Sequence, residues 1–102
     1  MSTNAVIRIQ GVRYCEVYKH WDGYPENTLP WLEKFNKYFA ENRGDDPSYK
    51  IAQLLRSSVR MQDEFHLDPN TLTGWGITTF NETSYEYLYT LHTDGRVTYE
   101  EA

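Results

Sequence analysis

Between Leu32 and Phe65 the apolar residues of this chain recur at helical spacing, and on either side of that block they follow the spacing of strands. This double switch of period restricts the fold more than any other feature. Side chains repeat about every 3.6 residues on a helix and every two on a strand, so one pattern cannot serve as the other.

Within the central block, Leu32, Phe35, Tyr38 and Phe39 make one apolar face. Thr28 is the expected N-cap of this helix, and Pro30 fits its first turn. Asn42–Gly44 should end it, with Gly44 as a left-handed cap. Asp46-Pro47 then reads as cap and first residue of a second helix. Its apolar stripe is Ile51, Leu54, Leu55, Ser58, Val59, Met61 and Phe65, and Asp68-Pro69 closes the region.

Ahead of the helices, Ala5–Ile9 and Arg13–Lys19 are strand candidates joined as a hairpin. A two-residue turn sets Ile7 opposite Tyr14, and one more loop residue sets it opposite Cys15. That slip decides which side of the second strand faces the core. After the helices come Gly74–Phe80, Ser84–Thr93 and Arg96–Glu100. Asp94-Gly95 is a strong two-residue turn signal, which would pair His92 with Val97 and Thr90 with Tyr99. The order β-β-α-α-β-β-β predicts an α+β fold. Its expected form is an antiparallel sheet of about five strands with both helices on one face and the other face partly open. A chain of 102 residues, 39% hydrophobic, fits one domain spanning residues 1–102.

Composition narrows the function classes. Aromatic residues make up 16% of the chain, nine of them tyrosine. Tyr buries a large ring and keeps a polar tip, so it serves cores and recognition surfaces alike. The net charge of −5 argues against sequence-independent phosphate binding and suits a basic protein partner. Nucleic acid and anionic membrane are disfavoured on the same ground. A lone cysteine, Cys15, makes no internal disulfide, the N-terminus carries no signal-peptide pattern, and no apolar run approaches a membrane span. The expected location is the cytoplasm.

Two groups of residues stand out as binding candidates. The first is the His20-Trp21-Asp22-Gly23-Tyr24-Pro25 run, at a strand end before a helix. His titrates near neutrality, Asp can orient it, and Trp21 and Tyr24 can stack on a planar ligand. The structural alternative is that Asp22-Gly23 is ordinary turn chemistry and the aromatics plug the core. The second group is the stripe Tyr85, Tyr87 and Tyr89, with Tyr14 and Tyr18 on the first hairpin. On an open sheet face these would form a flat aromatic platform; facing the helices they would be core. A weaker feature is Lys50, Arg56 and Arg60, which read as one basic side of the second helix, ordinarily a solvated one.

No catalytic residues are assigned, and no cofactor is called for. His20, His66 and His92 lack paired metal-ligand spacing, and no nucleophile elbow or phosphate loop occurs.

The run Val17-Tyr18-Lys19-His20-Trp21-Asp22-Gly23-Tyr24-Pro25 resembles a motif of an uncharacterised family of small phage, prophage and mobile-element proteins, in which a strand ends in this loop and a helix follows. Tyr85-Glu86-Tyr87-Leu88-Tyr89 resembles a later strand of that family. The resemblance implies a genomic setting and carries over no catalytic residues. The leading expectation is a small non-enzymatic accessory protein that binds or inhibits a host protein through an acidic, Tyr-rich surface. A homodimer through the exposed sheet or its edge is a second arrangement. The alternative is a small-ligand or nucleotide-binding domain, with or without weak hydrolytic activity, centred on the His20–Pro25 loop.

Overall fold

The structure is a computed structural model that describes residues 3–20, 22–64 and 74–102, with the side chains of residues 59 and 61–64 left out. The elements run β1 (Ala5–Ile9), β2 (Cys15–Lys19), α1 (Pro25–Asn42), α2 (Pro47–Glu64), β3 (Trp75–Thr79), β4 (Tyr87–Leu91) and β5 (Val97–Glu101). The chain is α+β in the expected order. Phe65, His66 and Asp68-Pro69 lie outside the described residues.

The five strands form one sheet in the order β3-β2-β1-β4-β5. Three neighbouring pairs are antiparallel, but the central pair, β1 with β4, is parallel. The sheet is therefore mixed, not purely antiparallel. Parallel neighbours need a long connection, and here most of the chain separates β1 from β4.

Both helices cover the same face. Ala5, Ile7, Ile9, Val17, Tyr89 and Leu91 point from the sheet into a core shared with Leu32 of α1 and Leu54 of α2. Ile7 lies opposite Val17 and not opposite Tyr14 or Cys15, because the β1–β2 connection is longer than a tight turn. The parity still puts Cys15 and Val17 toward the helices.

Helix α1 begins earlier than Thr28. Tyr24 is its N-cap and Pro25 its first residue, where the preset φ of proline suits the first turn. Thr28 is fully buried in that turn, and its hydroxyl donates to the Asp22 carbonyl at 2.6 Å. Pro30 lies inside the helix, where it can offer no N–H to the Glu26 carbonyl. The C-terminus follows expectation: Gly44 takes φ +76°, and its N–H reaches the Phe39 carbonyl. The Asp46 carboxylate accepts from the Tyr49 N–H at the start of α2.

The second sheet face is partly open, as expected: Thr98 and Glu100 of β5 are exposed on it, and the rest is covered. Residues 80–86 cross it, from the end of β3 to the start of β4. Glu16, 1% exposed on that face, accepts from the Asn81 N–H at 2.9 Å and pairs with Arg8. Arg8 lies over the Phe80 ring, and Asn4 bonds to the Ser84 carbonyl and the Glu86 N–H. Beneath this strap Val6 and Leu88 are buried.

Candidate functional site

The turn between β4 and β5 decides the site. Leu91 pairs with Val97 and Tyr89 with Tyr99, one residue off the register of a two-residue turn. Gly95 takes φ +97°, and His92 accepts its N–H, so the loop holds one residue more than Asp94-Gly95. Thr90 therefore faces Thr98, and Tyr99 joins Tyr87 and Tyr89 on the helix-bearing face. Asn36 fixes this hairpin from α1 by donating to the carbonyls of His92 and Arg96, at 2.9 and 2.8 Å.

The tyrosines are not an open platform. Tyr89 is fully buried, and its hydroxyl donates to the Gly23 carbonyl at 2.6 Å. Burial raises its pKa far above the phenol range, with Tyr87 adding to the rise and a hydrogen bond with Thr28 opposing it. Tyr18 stands on the opposite, strapped face, since it pairs with Val6 whereas Tyr87 pairs with Ala5. Tyr14 is exposed in the β1–β2 connection, away from the others. Tyr85 is half-buried ahead of β4 and, among the described residues, has no ring contact with Tyr87 or Tyr89.

What the structure does build is a corner. Tyr24, at the N-cap of α1, sets its ring centroid 6.3 Å from that of Tyr87. Tyr99 on β5 lies 6.4 Å from Tyr87 and 5.7 Å from Tyr89. Tyr24 and Tyr99 are 42% and 47% exposed, while Tyr89 anchors the group below. Glu101 pairs with Tyr87 across the strands, and Glu26 stands in the first turn of α1. Desolvation, then Glu101, Glu26, Tyr24 and Tyr99, push the Tyr87 pKa up. The corner is aromatic, acidic and solvent-facing. The two groups singled out in sequence thus meet in space through Tyr24 and Tyr87.

Gly23 and the backbone of Asp22 hold the loop against β1 and α1. The Gly23 N–H donates to the Thr3 carbonyl, and a Cβ at Gly23 would come within 2.9 Å of both the Ala5 Cβ and the Thr3 carbonyl oxygen. Only glycine fits so close to β1. Asp22 sits at φ +57°, and its carbonyl takes both Thr28 and the Lys19 ammonium. His20 is exposed and turned to the Tyr18 hydroxyl, 3.2 Å from Nδ1. Trp21 lies outside the described residues.

Lys19 escaped the sequence reading. It is buried on the helix-bearing face, its ammonium 5.7 Å from the centre of the Trp75 ring. Burial lowers its pKa to about 8, with Asp22 opposing the shift. The signal was the alternation itself, which places Lys19 on the face of Cys15 and Val17. Lys50 is also buried, against Phe39, whereas Arg56 and Arg60 are exposed, so the three do not form one solvated basic side. Among the described residues no cluster of three His, Cys, Asp or Glu residues could hold a metal ion, and no helix is long and apolar enough to cross a membrane.

No protein-family model, no curated protein and no solved structure matches the chain.

Proposed function

We propose that this chain is a non-enzymatic binding protein that holds a basic segment of a host protein at the corner of Tyr24, Tyr87 and Tyr99, and that it serves a phage or other mobile element. The observation that carries this reading is the convergence of three partly exposed tyrosines with Glu26 and Glu101. Tyrosine loses little conformational entropy on binding and is enriched in hot spots. Carboxylates beside the rings attract a cationic partner and speed its encounter.

The exposed edge of β5 carries Glu100 and Glu101, and charges on an edge oppose strand pairing between copies. A heterologous basic partner therefore suits the corner better than a second copy. The test is capture of host proteins on immobilised wild type and on Tyr24→Ala/Tyr99→Ala. A basic protein retained by the first and lost by the second is the expected result. Equal retention of every captured protein would sink the proposal.

A further inference from the structure

We infer that the groove between α1 and α2 is a binding site for a planar aromatic anion of the nucleoside monophosphate class. The groove is a concavity of about 480 Å³, lined by Trp31, Lys34, Phe35 and Tyr38 from α1 and by Arg56 and Arg60 from α2. That volume falls within the roughly 300–1,000 Å³ of ordinary small-ligand pockets. It shares no residue with the tyrosine corner.

The composition of the walls selects the ligand. Trp31, Lys34, Phe35 and Tyr38 stand at i, i+3, i+4 and i+7, so helical geometry puts them on one face of α1. Arg56 and Arg60, at i and i+4, are neighbours on α2. Three cations thus gather in a chain of net charge −5, with no carboxylate among the lining residues. Among the described residues, none of the three forms an ion pair. Two arginines a helical turn apart can grip a phosphate from two sides through their planar forks. Tyr38 is 69% exposed and offers a ring face on which a base can stack.

A second observation points the same way. The indole N–H of Trp31 is buried and, among the described residues, has no acceptor. A buried donor without a partner is uncommon and costs about 1–3 kcal/mol. Trp31 lines the groove, so a turn of its indole toward a bound base would give this N–H a ring nitrogen or carbonyl oxygen as acceptor.

The experiment is titration of ¹⁵N-labelled protein with adenosine monophosphate, adenosine, inorganic phosphate and a short single-stranded oligonucleotide, followed by NMR. The monophosphate should move the Trp31 indole signal and the amides of Lys34, Tyr38, Arg56 and Arg60. Arg56→Ala/Arg60→Ala, changed at exposed positions, should keep the folded spectrum and weaken binding about tenfold or more. The inference fails if the monophosphate moves none of these signals, or if the arginine variant binds it as well as wild type does. Equal binding of adenosine would remove the anion site, and equal binding of phosphate would remove the stacking role. Tighter binding of the oligonucleotide than of the mononucleotide would replace the small ligand by nucleic acid. A wild-type protein that binds no nucleotide but still captures its partner would overturn this inference and leave the tyrosine corner standing.

Discussion

The hydroxyl of Tyr89 donates a 2.6 Å hydrogen bond to the carbonyl of Gly23, 66 residues away in sequence. This bond ties the loop after β2 to the middle of β4, below the corner where Tyr24, Tyr87 and Tyr99 meet. Tyr89→Phe keeps the ring and leaves a buried carbonyl without its donor. The expected loss is about 1–3 kcal/mol in urea unfolding, with an unchanged denaturant slope. Gly23→Ala should cost a similar amount, because its Cβ would lie 2.9 Å from the Ala5 Cβ and the Thr3 carbonyl oxygen. Wild-type stability in both variants would mean that the loop is not fixed in this way.

Glu16 is the charged anchor of the other face. Its carboxylate is buried and meets both Arg8 and the Asn81 N–H. Arg8→Ala leaves that charge without its counter-ion. Since the Arg8 side chain is itself 26% exposed, water offsets part of the loss, and the expected cost is about 2–3 kcal/mol. Chemical denaturation checks this. Amide exchange should also quicken at Asn81, because the strap over Arg8 and Glu16 loosens with the pair.

Local signals in the sequence were reliable where one residue type answers one local demand. Gly44 ends α1 and Asp46-Pro47 starts α2 because a left-handed cap and an N-cap are each settled within a few residues. The start of α1 was placed too late, at Thr28 and Pro30, because Pro25, five positions earlier, answers the same first-turn demand and takes that position. The parallel pairing of β1 with β4, and the strap over the second face, depend on contacts between distant segments and have no local signature. The tyrosine corner was half legible. The alternation of Tyr87 and Tyr89 showed that they share a face, but one extra residue in the β4–β5 turn decided that Tyr99 joins them.

Lys19 and the tyrosines give the stability a defined pH dependence. The folded pKa of Lys19 is lowered from 10.5 to about 8, so the unfolded chain holds more protons between those values. Its contribution is fully present above 10.5 and is lost as pH falls through about 8. Lys50, also lowered by burial, acts in the same direction. Tyr87 and Tyr89 are raised above their ordinary 10, so their contribution is present below that value and is lost at higher pH. Unfolding free energy should therefore rise from about pH 8 toward about pH 10 and fall beyond it. In Lys19→Met the rise should be clearly smaller. A flat wild-type profile over that range, from urea unfolding at each pH, would contradict the burial of Lys19.

The corner makes an electrostatic prediction of its own. Glu101→Lys, on an exposed strand, should leave stability within about 0.5 kcal/mol of wild type, because surface charges contribute little to folding. The same change should slow association with a basic partner and reduce its dependence on salt. Stopped-flow mixing at two ionic strengths reads both effects.

The central claim is that Tyr24, Tyr87 and Tyr99 form a protein-binding surface. Its most direct measurement is calorimetric titration of a captured basic partner into wild type, Tyr89→Phe and Tyr99→Ala. The expected result is wild-type affinity for Tyr89→Phe where that variant is folded, and a loss of about tenfold or more for Tyr99→Ala. Equal affinity of wild type and Tyr99→Ala would show that the partner is held elsewhere.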